Sequence, residues 1–132
     1  MDTSKRIAVL TGATGGLGYA FLKELLKSDF DEIWAVGRNE KRLEELSEEF
    51  GTGIIPLRMD LTKMENIELF CEILKEQNPQ VEVLINNAGI AQMKASKDLT
   101  AKEIEDTIDL NCKAPVLLTN ICLPYMLSLI HI

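Results

Sequence analysis

The sequence predicts an α/β fold, a doubly wound parallel sheet of about four strands with flanking helices, formed by residues 1–132 as a single domain. Three observations carry this expectation. Short apolar runs rich in β-branched residues alternate strictly with helical patterns. The runs are apolar throughout, as strands covered on both faces must be, rather than apolar at every second position. The first run leads directly into a glycine-rich turn that opens a helix. At 132 residues, with 46% hydrophobic and 27% charged residues, 8 Gly and 4 Pro, the chain supports one core and is neither collagenous nor disordered.

The elements follow in order. Ile7–Leu10, Ile33–Val36, Ile54–Leu57 and Val81–Ile85 read as strands. Leu17–Leu26 reads as a helix opened by glycines, and Asn39–Phe50 as a second, with Leu43, Leu46 and Phe50 on one face among charges. A third helix is expected from Thr62, where Thr62 and Glu65 have capping-box spacing and Met64, Ile67, Phe70, Cys71 and Leu74 form its apolar stripe. Thr100 and Glu103 repeat the device for a fourth, which runs through Ile104, Ile108 and Cys112 towards Leu127. Right-handed crossovers then grow the sheet outward from the first strand and switch sides, leaving a ligand crevice at the carboxyl ends of the strands.

Charge and cysteine content narrow the function. Against 14 Lys and Arg stand 21 Asp and Glu, a net charge of −7 with a pI near 4.7, the wrong sign for a general nucleic-acid or anionic-membrane binder. Any anionic ligand must be held locally. Cys71, Cys112 and Cys122 form no C-x-x-C pair and read as reduced, mostly buried thiols, and no metal-ligand spacing exists. The polar start and the lack of a signal-type core make the cytoplasm the expected location. Ala114–Ile132 approaches membrane-spanning length but carries Pro115, Asn120, Pro124 and His131, so a buried helix is expected. His131, alone near the terminus, reads as packing rather than as a ligand or base.

The chemistry is concentrated after the first strand, in Thr11-Gly12-Ala13-Thr14-Gly15-Gly16-Leu17-Gly18. Gly12 permits the turn, Gly16 lets backbone approach a pyrophosphate, and Gly18 allows close helix–sheet packing, with the helix N-terminus facing the anion. This Gly12-x-x-x-Gly16-x-Gly18 spacing resembles the T-G-x-x-x-G-x-G loop of the short-chain dehydrogenase/reductase family. Asn86-Asn87-Ala88-Gly89 matches that family's N-N-A-G, Asp60-Leu61 its adenine-contacting D-[VL], and Asn111 its helical asparagine. The four motifs stand in family order over residues 7 to about 127 and resemble the N-terminal half of a 3-oxoacyl-reductase-like member. The resemblance implies a Rossmann-like fold and carbonyl or alcohol hydride transfer with a nicotinamide dinucleotide.

Cofactor preference rests on the end of the second strand, where an acidic residue would bind a ribose 2′-hydroxyl. Gly37 and Arg38 stand there instead. A guanidinium suits a 2′-phosphate, so NADP(H) is favoured over NAD(H), with Lys41 and Arg42 nearby, although Gly15 occupies the loop place where many NADP-using relatives carry a basic residue. Pro115 has no N–H and clashes with the carbonyl four residues back, that of Asn111, whose backbone in the resembled family holds a water of a proton relay.

The family's catalytic serine and its Y-x-x-x-K are not met in these 132 residues; Tyr19 and Lys23 have the spacing, but on the first helix beside the phosphate loop. The resemblance therefore implies a chain that binds the adenosine end and is inactive alone. Leu129-Ile130-His131-Ile132 reads either as the start of a fifth strand or as a departure from the family pattern. An uncovered fourth strand and an apolar 104–132 helix further predict a homo-oligomer through that helix or the sheet edge. The alternative function is a non-catalytic interaction module that keeps the glycine turn as structure.

Overall fold

A computed structural model describes residues 4–130, with side chains described as far as Met126. The element order is β1 (Arg6–Thr11), α1 (Gly16–Leu25), β2 (Glu32–Gly37), α2 (Glu40–Phe50), β3 (Ile54–Arg58), α3 (Met64–Gln77), β4 (Gln80–Ile85), α4 (Ala101–Ile108) and α5 (Ala114–Ile130). A 3-10 turn at Ser96–Asp98 precedes α4, and a π turn at Asp109–Lys113 joins α4 to α5.

All three strand pairings are parallel, in the order β3-β2-β1-β4. The sheet thus grows outward from β1 through β2 to β3 and then switches to β4. β1 lies between β2 and β4, and alternate side chains of the strands enter opposite cores. Ala8, Leu10, Ile33, Ala35 and Ile54 meet Leu22 and Leu25 of α1 and Leu43 and Leu46 of α2. Ile7, Val9, Trp34, Val36 and Val81 meet α3 and α5 on the other face, where Trp34 packs edge-on against Phe70 with ring centroids 6.1 Å apart. The β1–β4 register skips Glu82, whose carboxylate takes a two-point bond from the Arg6 guanidinium.

Helix starts differ in their chemistry. The Asn39 side chain accepts from the Arg42 amide at 3.0 Å, and Thr100 with Glu103 forms the reciprocal capping box, as the sequence predicts. The Thr62–Glu65 box does not form. Asp60 Oδ1 instead accepts both the Thr62 amide at 3.0 Å and its hydroxyl at 2.6 Å, so α3 starts at Met64 without a side-chain cap. An aspartate two residues upstream outcompetes the glutamate by closing an Asx-type turn.

The fourth expected helix is interrupted. The Ala114 amide bonds the Asp109 carbonyl five residues back, widening the helix just before Pro115, where the missing N–H makes the ordinary ladder unattainable. α5 is not fully buried: Ala114, Leu118 and Cys122 form one covered stripe, while Val116 and Leu123 are exposed. Residues 129 and 130 continue α5 rather than beginning a strand, and His131 and Ile132 lie outside the described residues. Only Cys122 is a buried thiol; Cys71 is half-buried and Cys112 exposed. Burial pushes the Cys122 thiol up to about 12. Among the described residues no helix is long and apolar enough to cross a membrane.

Candidate functional site

A cleft of about 410 Å³ opens at the carboxyl ends of β1, β2 and β4. Its floor is the turn between β1 and α1. Gly12 turns with φ +66°, and a Cβ there would lie 2.9 Å from the Ala88 backbone. Gly18 brings α1 so near the turn that a Cβ would meet the Gly12 carbonyl oxygen at 2.0 Å. Gly16 has nothing within 4 Å of such a Cβ, leaving open space above the first turn of the helix.

No side chain caps α1, whose N-cap is Gly15. The first amides of a helix have no intrahelical acceptor, and here Gly16, Leu17 and Gly18 line the cleft together with Gly12, Thr14 and Gly15. The open space and uncapped helix end fit a pyrophosphate in shape and sign.

Thr11 lies beneath this floor and does not line it. Its hydroxyl is buried and accepts the amides of Asn87 and Ala88, each at 3.0 Å, while Asn87 Nδ2 donates to the Gly12 carbonyl at 3.1 Å. The glycine turn and the Asn-Asn-Ala-Gly turn are thereby laced together, and Asn87, Ala88 and Gly89 form the facing wall. Asn86 points elsewhere, its amide donating to Thr119 Oγ1 at 3.2 Å.

The far wall carries Arg38 and Asn39 from the end of β2, with Met59 and Leu61 from the end of β3. Arg38 is the one ionisable side chain among the residues lining this cleft. Asp60 turns away into an adjoining cleft. Burial raises its carboxyl pKa, but the Thr62 hydroxyl and amide and the charges of Arg38 and Lys63 outweigh this and hold it below the usual carboxylate range.

Asn111 sits on the π turn. Its Oδ1 accepts the Ile90 amide at 2.8 Å and its Nδ2 donates to the Ile90 carbonyl at 2.7 Å, so the side chain grips the loop after β4 as a neighbouring strand would. Leu110 and Ile90, not the Asn111 side chain, reach the cleft. These two, with Val36 and Met59, form an apolar lining that sequence reasoning missed; Val36 and Met59 stand at strand ends, whereas Ile90 in the loop after β4 and Leu110 on the π turn carried no such signal. Tyr19 also stands apart from the cleft. Its hydroxyl donates to Glu49 at 2.5 Å, and that bond with burial raises its pKa, the opposite of what an acid–base tyrosine needs.

Known proteins resemble this chain in sequence and fold. Residues 6–130 match the family model described as short chain dehydrogenase. The NADP-dependent 3-hydroxy acid dehydrogenase YdfG of Shigella flexneri is 31% identical over 126 residues, covering 95% of this chain and 50% of its own. A metagenomic short-chain oxidoreductase solved in complex with NADP superposes with a TM-score of 0.83 at 27% identity, covering 95% of this chain and 58% of the other. The closed form of serine dehydrogenase complexed with NADP+ gives 0.80 at 30% identity, covering 92% and 49%. The chain spans about half the length of these relatives. Because the match extends over residues 6–130, from β1 to α5 with both laced turns inside those bounds, the chain belongs to the short chain dehydrogenase family.

Proposed function

We propose that residues 1–132 form the dinucleotide-binding domain of a short-chain oxidoreductase, with NADP(H) favoured over NAD(H). The observation that carries this reading is the placement of Arg38. On a protein of net charge −7, the cleft at the uncapped end of α1 has one ionisable wall residue, and it is a cation. The amides of Gly16, Leu17 and Gly18 would hold the pyrophosphate, Arg38 the adenosine 2′-phosphate, and Leu61 with Met59 the adenine face. Asn87, Ala88 and Gly89 would face the ribose nearer the nicotinamide.

When bound, such a cofactor supplies or accepts a hydride at a carbonyl or alcohol carbon. This chain's own contribution is to bind and orient it. Asn111 fixes the wall through Ile90, and its backbone carbonyl, on the π turn ahead of Pro115, is assigned to order a relay water. By this reading the 132 residues do not turn over alone, because the family's serine and Y-x-x-x-K pattern is not met at the cleft. A cytoplasmic setting belongs to the same reading.

Titration calorimetry with NADPH, NADH and 2′,5′-ADP tests it, with Arg38→Ala as the control. Saturable binding of NADPH and 2′,5′-ADP that the substitution abolishes is expected. No heat from any of the three would reduce the glycine turn to scaffold.

A second reading, assembly with another copy of this chain, is favoured by exposed apolar residues on α4 and α5 and by the sheet edge. Ile104, Ile108, Val116 and Leu123 are each 41–64% exposed, and the outer edge of β4 has no strand beside it among the described residues. Sedimentation equilibrium should show a dimer or larger species that Ile108→Glu and Val116→Glu disrupt.

A further inference from the structure

We infer that Arg58 and Lys63, on the β3 side of Arg38, complete the recognition of the adenosine 2′-phosphate. This rests on the dinucleotide reading above and extends it to two residues outside the glycine-turn motif.

The starting point is a second cleft, of about 360 Å³, that shares Arg38 and Met59 with the first. Its remaining walls are Arg58, Asp60, Lys63 and Asn66. The strand register explains the convergence. Gly37 lies beside Arg58, so Arg38 leaves β2 next to the point where Arg58 ends β3. Lys63 is brought in by the Asp60–Thr62 turn, as the N-cap residue of α3.

None of these three cations has an ion-pair partner among the described residues, whereas Arg42 on α2 pairs with Glu45 and Lys75 on α3 pairs with Glu72. The carboxylate whose charge reaches this place is Asp60, held low in part by Arg38 and Lys63, and it faces three cations. Asp60 is the only carboxylate lining the cleft, and one of its oxygens is occupied by both Thr62 donors. Asn66 uses its oxygen to accept the Asp60 amide at 3.1 Å, leaving its NH₂ as a donor on the same wall. Two guanidinium forks, an ammonium and an amide donor suit a tetrahedral dianion with three acceptor oxygens.

The source of that anion follows from Arg38, the residue common to both clefts. A phosphate held between Arg38 and Arg58 would lie by the ends of β2 and β3, and β3 is on the side of β2 away from β1, which leads into the uncapped end of α1. Gly15 has no side chain, so the glycine turn adds no second cation there. Arg58 and Lys63 supply it from the opposite side.

Dissociation constants for NADPH, NADH and 2′,5′-ADP, measured on the full chain and on Arg58→Ala, Lys63→Ala and the double variant, decide the matter. Both side chains are exposed, and thermal melting verifies that the variants remain folded. NADPH and 2′,5′-ADP should weaken about tenfold in each single variant and further in the double, with NADH unchanged. The wild type's NADPH affinity should also fall more steeply with salt than the double variant's. Equal weakening of NADH and NADPH overturns the assignment to the 2′-phosphate. Unchanged NADPH affinity in the double variant, with Arg38→Ala still damaging, overturns the inference but leaves the dinucleotide reading standing. Absence of NADPH binding by the wild type overturns that reading first and the inference with it.

Discussion

The two turns that wall the cleft are built on opposite principles. The turn between β1 and α1 is shaped chiefly by close approach of backbone to backbone: Gly18 sits where a methyl would strike the Gly12 carbonyl at 2.0 Å, no side chain caps the helix, and the one side-chain bond to the turn is from Asn87 to the Gly12 carbonyl. The stretch from the end of β4 to the π turn is held by side chains, with Asn111 gripping Ile90, Gln92 reaching Thr107, and Lys94 pairing with Glu103. Thr11 is the joint between them. A backbone-built wall leaves its amides free for a ligand and fails abruptly when a side chain is added. A wall pinned by side chains loses its bonds one at a time.

Four substitutions grade that contrast. Gly18→Ala should have the largest effect, because both clashing partners are backbone and relief requires α1 to lift from the sheet. A loss of about 3 kcal/mol or more is expected from urea denaturation, with dinucleotide binding lost as well. Thr11→Val keeps the shape but leaves the half-buried Ala88 amide without its acceptor and the Asn87 amide with the Ile85 carbonyl alone, and should cost about 1–2 kcal/mol by the same measurement. Asn111→Ala removes two bonds from a more exposed place, and about 1 kcal/mol is expected, together with faster amide exchange at Ile90.

The smallest effect should be Glu103→Gln, visible mainly as pH dependence. The bonds from Lys94 and from the Thr100 amide and hydroxyl hold the Glu103 carboxyl below its ordinary value of 4.5. A folded value below the unfolded one means the stabilisation is complete above pH 4.5 and disappears as pH falls through the folded value. Thermal melts of wild type and variant between pH 3 and 6, on the order of the ordinary carboxylate range, should converge at the acid end.

The strands were legible in the sequence because burial on both faces leaves unbroken runs such as Ile7–Leu10, and the structure extends each by only a residue or two. Asn39 and Thr100 marked helix starts because no stronger acceptor stood nearby. At Thr62 the same reasoning failed, since a side-chain competition between Asp60 and Glu65 is settled by turn geometry that spacing does not encode. Pro115 signalled a disturbed helix, yet a missing N–H is compatible with a kink as well as with an extra residue, and the structure takes in the extra residue. Within the site, the glycines announced themselves through their spacing. Thr11 belongs to the same motif as the glycines but lies under the floor, and Asn86 belongs to the same motif as Asn87 but faces Thr119. Arg58 and Lys63 belong to no motif; the β2–β3 register sets Arg58 by the end of β2, and the Asp60–Thr62 turn brings Lys63 to the same cleft.

The π turn at Asp109–Lys113 acts on everything after it as a phase setting. One residue of α-helix corresponds to a rotation of about 100°, so a single deletion within the turn would swing the stripe of Ala114, Leu118 and Cys122 off β4 and α3 and bring another face of α5 round in its place. Length variation should therefore be far less tolerable across these five residues than in the loop that precedes α4, and substitutions here that keep the count should be accepted where deletions are not.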